Sequence, residues 1–99
     1  MPYIKPETRA RINCYIETLK NHIIYEEPVI FNRQGVVNYA ITKLVTGALK
    51  PVDGWSYHSL SRAIAVLRDA ATEMERRLMA KREDQAIENN GDIPEYENS

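Results

Sequence analysis

Three side chains that could bind a ligand lie together at residues 53–60, which read DGWSYHSL. Trp55 is the only tryptophan of the chain, Tyr57 adds a second ring, and His58 is one of two histidines. Aromatic faces stack on nucleic-acid bases with about 1–3 kcal/mol each. The same residues also fit a structural role, in which Trp55 covers the core between two helices and His58 lies on the surface at a helix start. The sequence leaves both interpretations open.

Basic and polar residues surround this aromatic turn at helical spacing. Arg62 follows His58 by four residues, and Lys43 follows Tyr39 by four, so each pair shares one helix face. Arginine and lysine are the usual partners of phosphate groups, and Asn38 adds an amide. The combination fits a small nucleotide, although ordinary surface charge would show the same pattern. The predicted ligand site comprises Trp55, Tyr57, His58, Arg62, Lys43, Asn38 and Tyr39.

Catalytic arrangements are missing from the sequence. Cys14 and His22 are eight residues apart, about two helical turns, so their side chains cannot meet within one helix. Glu73 and Glu75 are typical of solvated charge rather than of an acid–base pair. The four glycines form no phosphate-binding loop, and no Cys/His spacing suits zinc. We therefore expect no enzyme activity, no metal and no cofactor.

The charges divide the chain into a basic body and an acidic end. Residues 1–82 carry 13 Lys/Arg and 8 Asp/Glu, whereas residues 83–99 carry 6 Asp/Glu and no Lys or Arg. The acidic end is either a solvated terminus or a cover for a basic surface, in the same copy or a neighbour. Nucleic-acid binding is not expected, because Asp69, Glu73 and Glu75 interrupt the basic positions and no recognition helix is evident.

Hydrophobic periodicity predicts three helices. Residues 6–24 and 35–49 each carry an apolar stripe, and Pro6 suits a first helical turn. A third helix is expected to begin after Ser56, whose hydroxyl can cap it, and to end at Asn89-Asn90-Gly91. We predict an all-α, three-helix protomer. In it, helices two and three form a hairpin and helix one lies across them.

The third helix is expected to assemble with another copy. Its apolar residues follow heptad-like steps: Leu60, Ile64, Leu67, Ala71, Met74 and Leu78. A helix of roughly 30 residues spans about 45 Å, too long for a compact bundle of this size. Arg76, Arg77, Lys81 and Arg82 add a basic set typical of salt bridges within the helix or across an antiparallel copy. The pattern predicts a homo-oligomer, with a helical domain at residues 1–91 and a flexible acidic tail at 92–99.

The apolar segment Val29–Phe31 lies between Pro28 and Gly35. It is predicted to be either a short extended segment or a piece folded back over the core, and an exposed version would attract a partner. The single cysteine suits a reducing compartment, and neither a signal peptide nor a membrane span is evident. We expect a cytoplasmic protein that does not contact membranes.

Several stretches of the chain resemble an uncharacterised family of short proteins from tailed phages and some bacteria. They are residues 1–9 (MPYIKPETR), 38–44 (NYAITKL), 55–60 (WSYHSL), 76–77 (RR) and 83–92 (EDQAIENNGD). The sequence departs from the family pattern at Arg68, Asp69 and Glu75, where the family shows an acidic, then an apolar or cysteine, then an aromatic residue. No chemistry is assigned to that family.

The resemblance implies a small accessory protein acting in the cytoplasm of a host cell. Two functions are expected from it and from the residues together. The first is sequestration of a nucleotide-derived immune signal, such as a cyclic nucleotide or an ADP-ribose derivative, at subunit interfaces. The alternative is a protein–protein module that docks on a host protein and inhibits it without a small-molecule ligand. The second function would use the Val29–Phe31 segment or the third helix.

Overall fold

The structure, a computed structural model, describes residues 4–97. Every regular element in that range is helical. In chain order they are α1 (Pro6–Glu26), a 3₁₀ turn (Ile30–Asn32), α2 (Gln34–Leu49), α3 (Tyr57–Met74), a π-helical turn (Glu75–Met79), α4 (Ala80–Asn90) and α5 (Pro94–Glu97). The all-α class predicted from the sequence is confirmed.

The connection between α1 and α2 is held by one arginine. Arg33 donates from Nε to the Glu27 carbonyl at 2.8 Å and from an Nη to the Pro28 carbonyl at 2.9 Å. The Glu27 carboxylate in turn accepts the Val29 N–H at 3.1 Å. These bonds satisfy backbone groups that the end of α1 leaves without helical partners.

The apolar segment between these helices takes neither of the two forms predicted for it. Val29 is extended, but Ile30–Asn32 form a 3₁₀ turn. Their side chains point to solvent, and Phe31 is 87% exposed. A 3₁₀ turn is a common short connector before an α-helix, and here it leaves the apolar side chains outside.

The start of α3 is capped as the sequence predicts. The Ser56 hydroxyl accepts the Ser59 N–H at 3.1 Å, and the Ser59 hydroxyl accepts the Ser56 N–H at 2.9 Å. This reciprocal pair resembles a capping box with serine in place of the usual glutamate. The preceding turn needs a glycine, because Gly54 has φ +95° and donates its N–H to the Pro51 carbonyl.

The predicted third helix is helical without interruption from Tyr57 to Asn90, but it is not one regular α-helix. Residues Glu75–Met79 form a π-helical turn that separates α3 from α4. A π turn closes i→i+5 hydrogen bonds and so inserts an extra residue into one turn. Heptad spacing in the sequence carried no sign of this insertion.

The end of the helical stretch lies where the sequence predicts it. Gly91 adopts φ +84° and donates its N–H to the Ile87 carbonyl at 2.7 Å. Beyond this end, Pro94–Glu97 form the single turn α5. Residues 1–3 and 98–99 lie outside the described part. They include the start of the MPYIKPETR stretch and the end of the predicted tail.

Very little of the chain is buried. The chain divides into two compact units, the first ending at Ile64 and the second beginning at Ala65. Among described residues only Ala63 is buried, at 5% exposure. Each unit taken by itself therefore leaves most of its large apolar side chains exposed.

Candidate functional site

Two clefts lie between α1 and α2, and they share a floor of Leu19, Ile23, Ala40 and Leu44. We name them cleft A and cleft B. Cleft A has a volume of about 330 Å³, and its other lining residues are Ile16, Lys20, Ile24, Arg33, Val37 and Ile41. Cleft B has a volume of about 470 Å³, and its other lining residues are His22, Glu26, Val36, Tyr39 and Lys43.

Cleft B combines the chemically most varied side chains. His22 and Glu26 are four residues apart on α1, and Tyr39 and Lys43 are four apart on α2, so each helix presents one pair. Tyr39 is 66% exposed, so its side chain is accessible to a ligand. A neighbouring ring extends this surface, because His22 stacks on Tyr25 with ring centroids 6.3 Å apart. The cleft thus offers an aromatic face, a cation, an imidazole and a carboxylate over an apolar floor.

Two of the seven residues predicted for the ligand site line this cleft, namely Tyr39 and Lys43. A third, Asn38, is exposed on α2, and its side-chain oxygen accepts the Thr42 hydroxyl at 3.3 Å. That bond occupies one acceptor of the amide and leaves its NH₂ donors unused within the described residues. The three predicted site residues of α2, Asn38, Tyr39 and Lys43, therefore lie on a helix that lines cleft B together with α1.

The other four predicted residues lie at the start of α3 and in the turn before it. Trp55 is half-buried, whereas Tyr57, His58 and Arg62 are exposed, with Tyr57 at 89%. No hydrogen bond or ion pair within residues 4–97 joins these side chains to Tyr39 or Lys43. Half-burial suits Trp55 as a packing residue, while the exposure of the other three leaves them available to a ligand or a neighbouring copy.

Sequence reasoning missed the α1 half of cleft B. In the sequence, His22 stands out only as a possible partner for Cys14. The signal that could have found them is their spacing, since His22 and Glu26 repeat the i, i+4 arrangement of Tyr39 and Lys43. Using that signal requires knowing that α1 and α2 line common clefts.

A separate apolar patch covers the connection between α1 and α2. We define the connector patch as Val29, Ile30 and Phe31, all of which are exposed. Arg33 fixes the backbone beneath the patch through its two hydrogen bonds to carbonyl oxygens. The connector patch is therefore an apolar surface on a fixed turn rather than on a loose loop.

No group of three or more His, Cys, Asp or Glu side chains among residues 4–97 could hold a metal ion. None of the described helices combines the length and the apolar character that crossing a bilayer requires.

Comparison with known proteins gives a family but no chemistry. No curated protein and no solved structure matches the chain. One family matches residues 1–93, nearly the whole chain, and its description is a domain of unknown function, DUF6899. This extent includes the whole first unit, most of the second unit and all the candidate ligand residues. The chain therefore belongs to the DUF6899 family.

Proposed function

We propose that this protein is a homo-oligomeric binding protein that sequesters a nucleotide-derived signal in cleft B. The observation that carries the proposal is the meeting of Tyr39 and Lys43 from α2 with His22 and Glu26 from α1 around one cleft. No nucleophile–base pair lies among these four residues, so binding without turnover is the function they support best.

The four side chains match the parts of a nucleotide. The exposed Tyr39 ring can stack on a base, an interaction of about 1–3 kcal/mol. Lys43 and His22 can donate hydrogen bonds to phosphate oxygens. The Glu26 carboxylate can accept hydrogen bonds from ribose hydroxyls or a base amine. The cleft volume of about 470 Å³ lies within the roughly 300–1,000 Å³ of small-molecule sites.

The remaining predicted residues are assigned to a neighbouring copy. Tyr57, His58 and Arg62 are exposed on the single chain, as residues that complete a shared site would be. In the described part of the second unit every residue except Glu73 is exposed, and the connector patch of the first unit is exposed as well. The protomer therefore has uncovered apolar surface for interfaces with its own kind.

The biological setting of the proposal comes from the resemblance to tailed-phage proteins. In that setting the ligand is an immune signal of the host cell, such as a cyclic nucleotide or an ADP-ribose derivative. The protein would act in the host cytoplasm as an anti-defence sponge. Its concentration, rather than its turnover, would then determine how much signal is removed.

A thermal-shift and calorimetry screen with cyclic dinucleotides, cyclic mononucleotides and ADP-ribose derivatives tests this function. A ligand present at 100 times its Kd adds about 2.7 kcal/mol to the free energy of unfolding, which raises Tm measurably. Tyr39→Ala and Lys43→Glu should each weaken binding at least tenfold, because about 1.4 kcal/mol of lost contact corresponds to a tenfold change in Kd.

The matched controls are Tyr15→Ala and Lys5→Glu, which make the same chemical changes at exposed positions outside the lining of both clefts. Both should bind within a factor of about three of the wild type, since distant independent contacts contribute little. A broad nucleotide panel that shifts no Tm, or controls that lose as much affinity as the cleft variants, would refute the proposal.

The connector patch favours a second candidate function, docking on a host protein. Three exposed apolar side chains on a fixed turn are typical of a protein-binding surface. Ile30→Asp with Phe31→Asp should abolish binding of that host protein and leave nucleotide binding unchanged. Tyr39→Ala should do the reverse, so the two functions are separable in one set of variants.

A further inference from the structure

The second unit contains a notch at the π-helical turn. Its lining residues are Met74, Glu75, Leu78, Met79 and Arg82, and its volume is about 380 Å³. Met74, Leu78 and Met79 are exposed in the single chain, Leu78 at 63%. The notch is therefore an apolar surface with one carboxylate and one guanidinium at its rim.

The residues that line the notch share one face of the helical stretch. Met74, Leu78 and Arg82 follow each other at steps of four residues, and Glu75 and Met79 are four apart beside them. The three apolar side chains of this face are exposed, so another helix could cover them.

The rim charges indicate which helix that is. Glu75 lies near the α3 end of the notch and Arg82 lies on α4. Neither makes an ion pair within residues 4–97. An antiparallel copy would place its Arg82 against Glu75 and its Glu75 against Arg82. A parallel copy would bring like charges together, which is destabilising.

We propose that the notch is the centre of an antiparallel interface with a second copy of this chain. The two-fold axis passes between Leu78 and Met79, so that Leu78 of one copy faces Met79 of the other. The same axis brings Ala71 opposite Ala86, whose small side chains allow close approach of the two helices. Each copy supplies one Glu75–Arg82 pair to the interface, which is isologous as in most homodimers.

This inference deepens the homo-oligomer part of the proposed function. It concerns only residues of the second unit, none of which line cleft B. Its tests use no nucleotide, so loss of ligand binding and loss of this interface are separate results.

Charge reversal at the rim tests the pairing. Glu75→Arg and Arg82→Glu each convert two attractive pairs into two repulsive ones. Each variant alone should therefore raise the Kd of this association at least tenfold in sedimentation equilibrium. An equal mixture of the two variants should assemble like the wild type, because both pairs are then restored. The double variant, Glu75→Arg with Arg82→Glu, should also recover assembly.

The matched controls are Glu88→Arg and Lys81→Glu. They make the same charge changes at exposed positions of α4 outside the notch lining. Both should assemble like the wild type, and circular dichroism should show that both controls keep the helicity of the wild type. The proposal is overturned if the controls weaken assembly as much as the notch variants, if the mixture fails to recover, or if the wild-type chain is monomeric.

Disulfide trapping in a Cys14→Ser background tests the antiparallel direction. A disulfide needs Cα atoms within about 7 Å of each other. Ala71→Cys mixed with Ala86→Cys should form a mixed disulfide dimer, and neither variant alone should form one. Efficient cross-linking of Ala71→Cys with itself would show parallel helices and overturn the proposal.

Discussion

The α1–α2 region and the α3–α4 region bury their side chains to different degrees. In the first unit, Ile23, Val36, Ala40 and Val45 are half-buried, and Ala63 is buried. In the described part of the second unit, every residue except the half-buried Glu73 is exposed. Both regions are equally helical, so the difference lies in packing and not in backbone structure.

From this comparison we expect the helices of the second unit to depend on contacts from outside the chain. Isolated helices of ordinary sequence are marginal in water, and most helical stability in proteins comes from packing of an apolar face. The α1–α2 clefts cover part of such a face within one chain, whereas the notch face has no cover there. Loss of the partner copy should therefore affect the second unit first and more severely.

The largest effect is expected from Leu78→Asp. It places a charge at the centre of the notch and removes the burial of one leucine in each copy, worth about 1.5–3 kcal/mol. The Kd of assembly should rise at least about 100-fold, and helicity should fall with dissociation. Sedimentation equilibrium and circular dichroism at matched concentrations measure both.

Thr72→Asp is the matched control for this change, since Thr72 is an exposed α3 residue outside the notch lining. It should assemble like the wild type. Equal loss of assembly in the two variants would mean that the charge, and not the notch, is responsible.

A moderate effect is expected from Arg33→Ala in the first unit. The change removes two hydrogen bonds to the Glu27 and Pro28 carbonyls, at about 0.5–1.5 kcal/mol each. The free energy of unfolding should fall by about 1–2 kcal/mol, measured by urea denaturation of the assembled protein. Arg9→Ala, at an exposed position on α1, should change it by less than about 0.5 kcal/mol. A stability loss in Arg9→Ala as large as that in Arg33→Ala would contradict the role assigned to the connection.

The smallest effect is expected from Ser56→Ala at the start of α3. Loss of an N-cap serine costs about 1 kcal/mol, and the loss should be smaller if the Ser59 hydroxyl partly replaces it. Thermal denaturation measures this, with Ser61→Ala as the control at an exposed α3 position that makes no cap contact among the described residues. An unchanged Tm in Ser56→Ala would show that α3 is held by its assembly contacts alone.

Much of the fold could be predicted from local chemistry. Pro6, Ser56 and Gly91 mark helix ends through backbone geometry and capping, and these signals act within a few residues. The π turn at Glu75–Met79 could not be predicted in the same way. No proline or glycine lies within this turn, so its sequence carries no local signal for it.

The candidate site was predictable only in part for a related reason. Tyr39 and Lys43 share a helix face, so spacing alone brings them together. His22 and Glu26 join them through packing of α1 beside α2, which no local pattern encodes. The contribution of Tyr57, His58 and Arg62 depends on a neighbouring copy, and it stays a prediction.

The measurement that tests the central claim most directly is the mass and helicity of the wild-type chain as it is diluted. The account predicts an assembly of several copies at micromolar concentration, with helicity decreasing as the copies separate. Sedimentation velocity and circular dichroism on the same dilution series would show both changes together. A monomer of 11.4 kDa that keeps full helicity and a cooperative melting transition at the lowest concentration would contradict it.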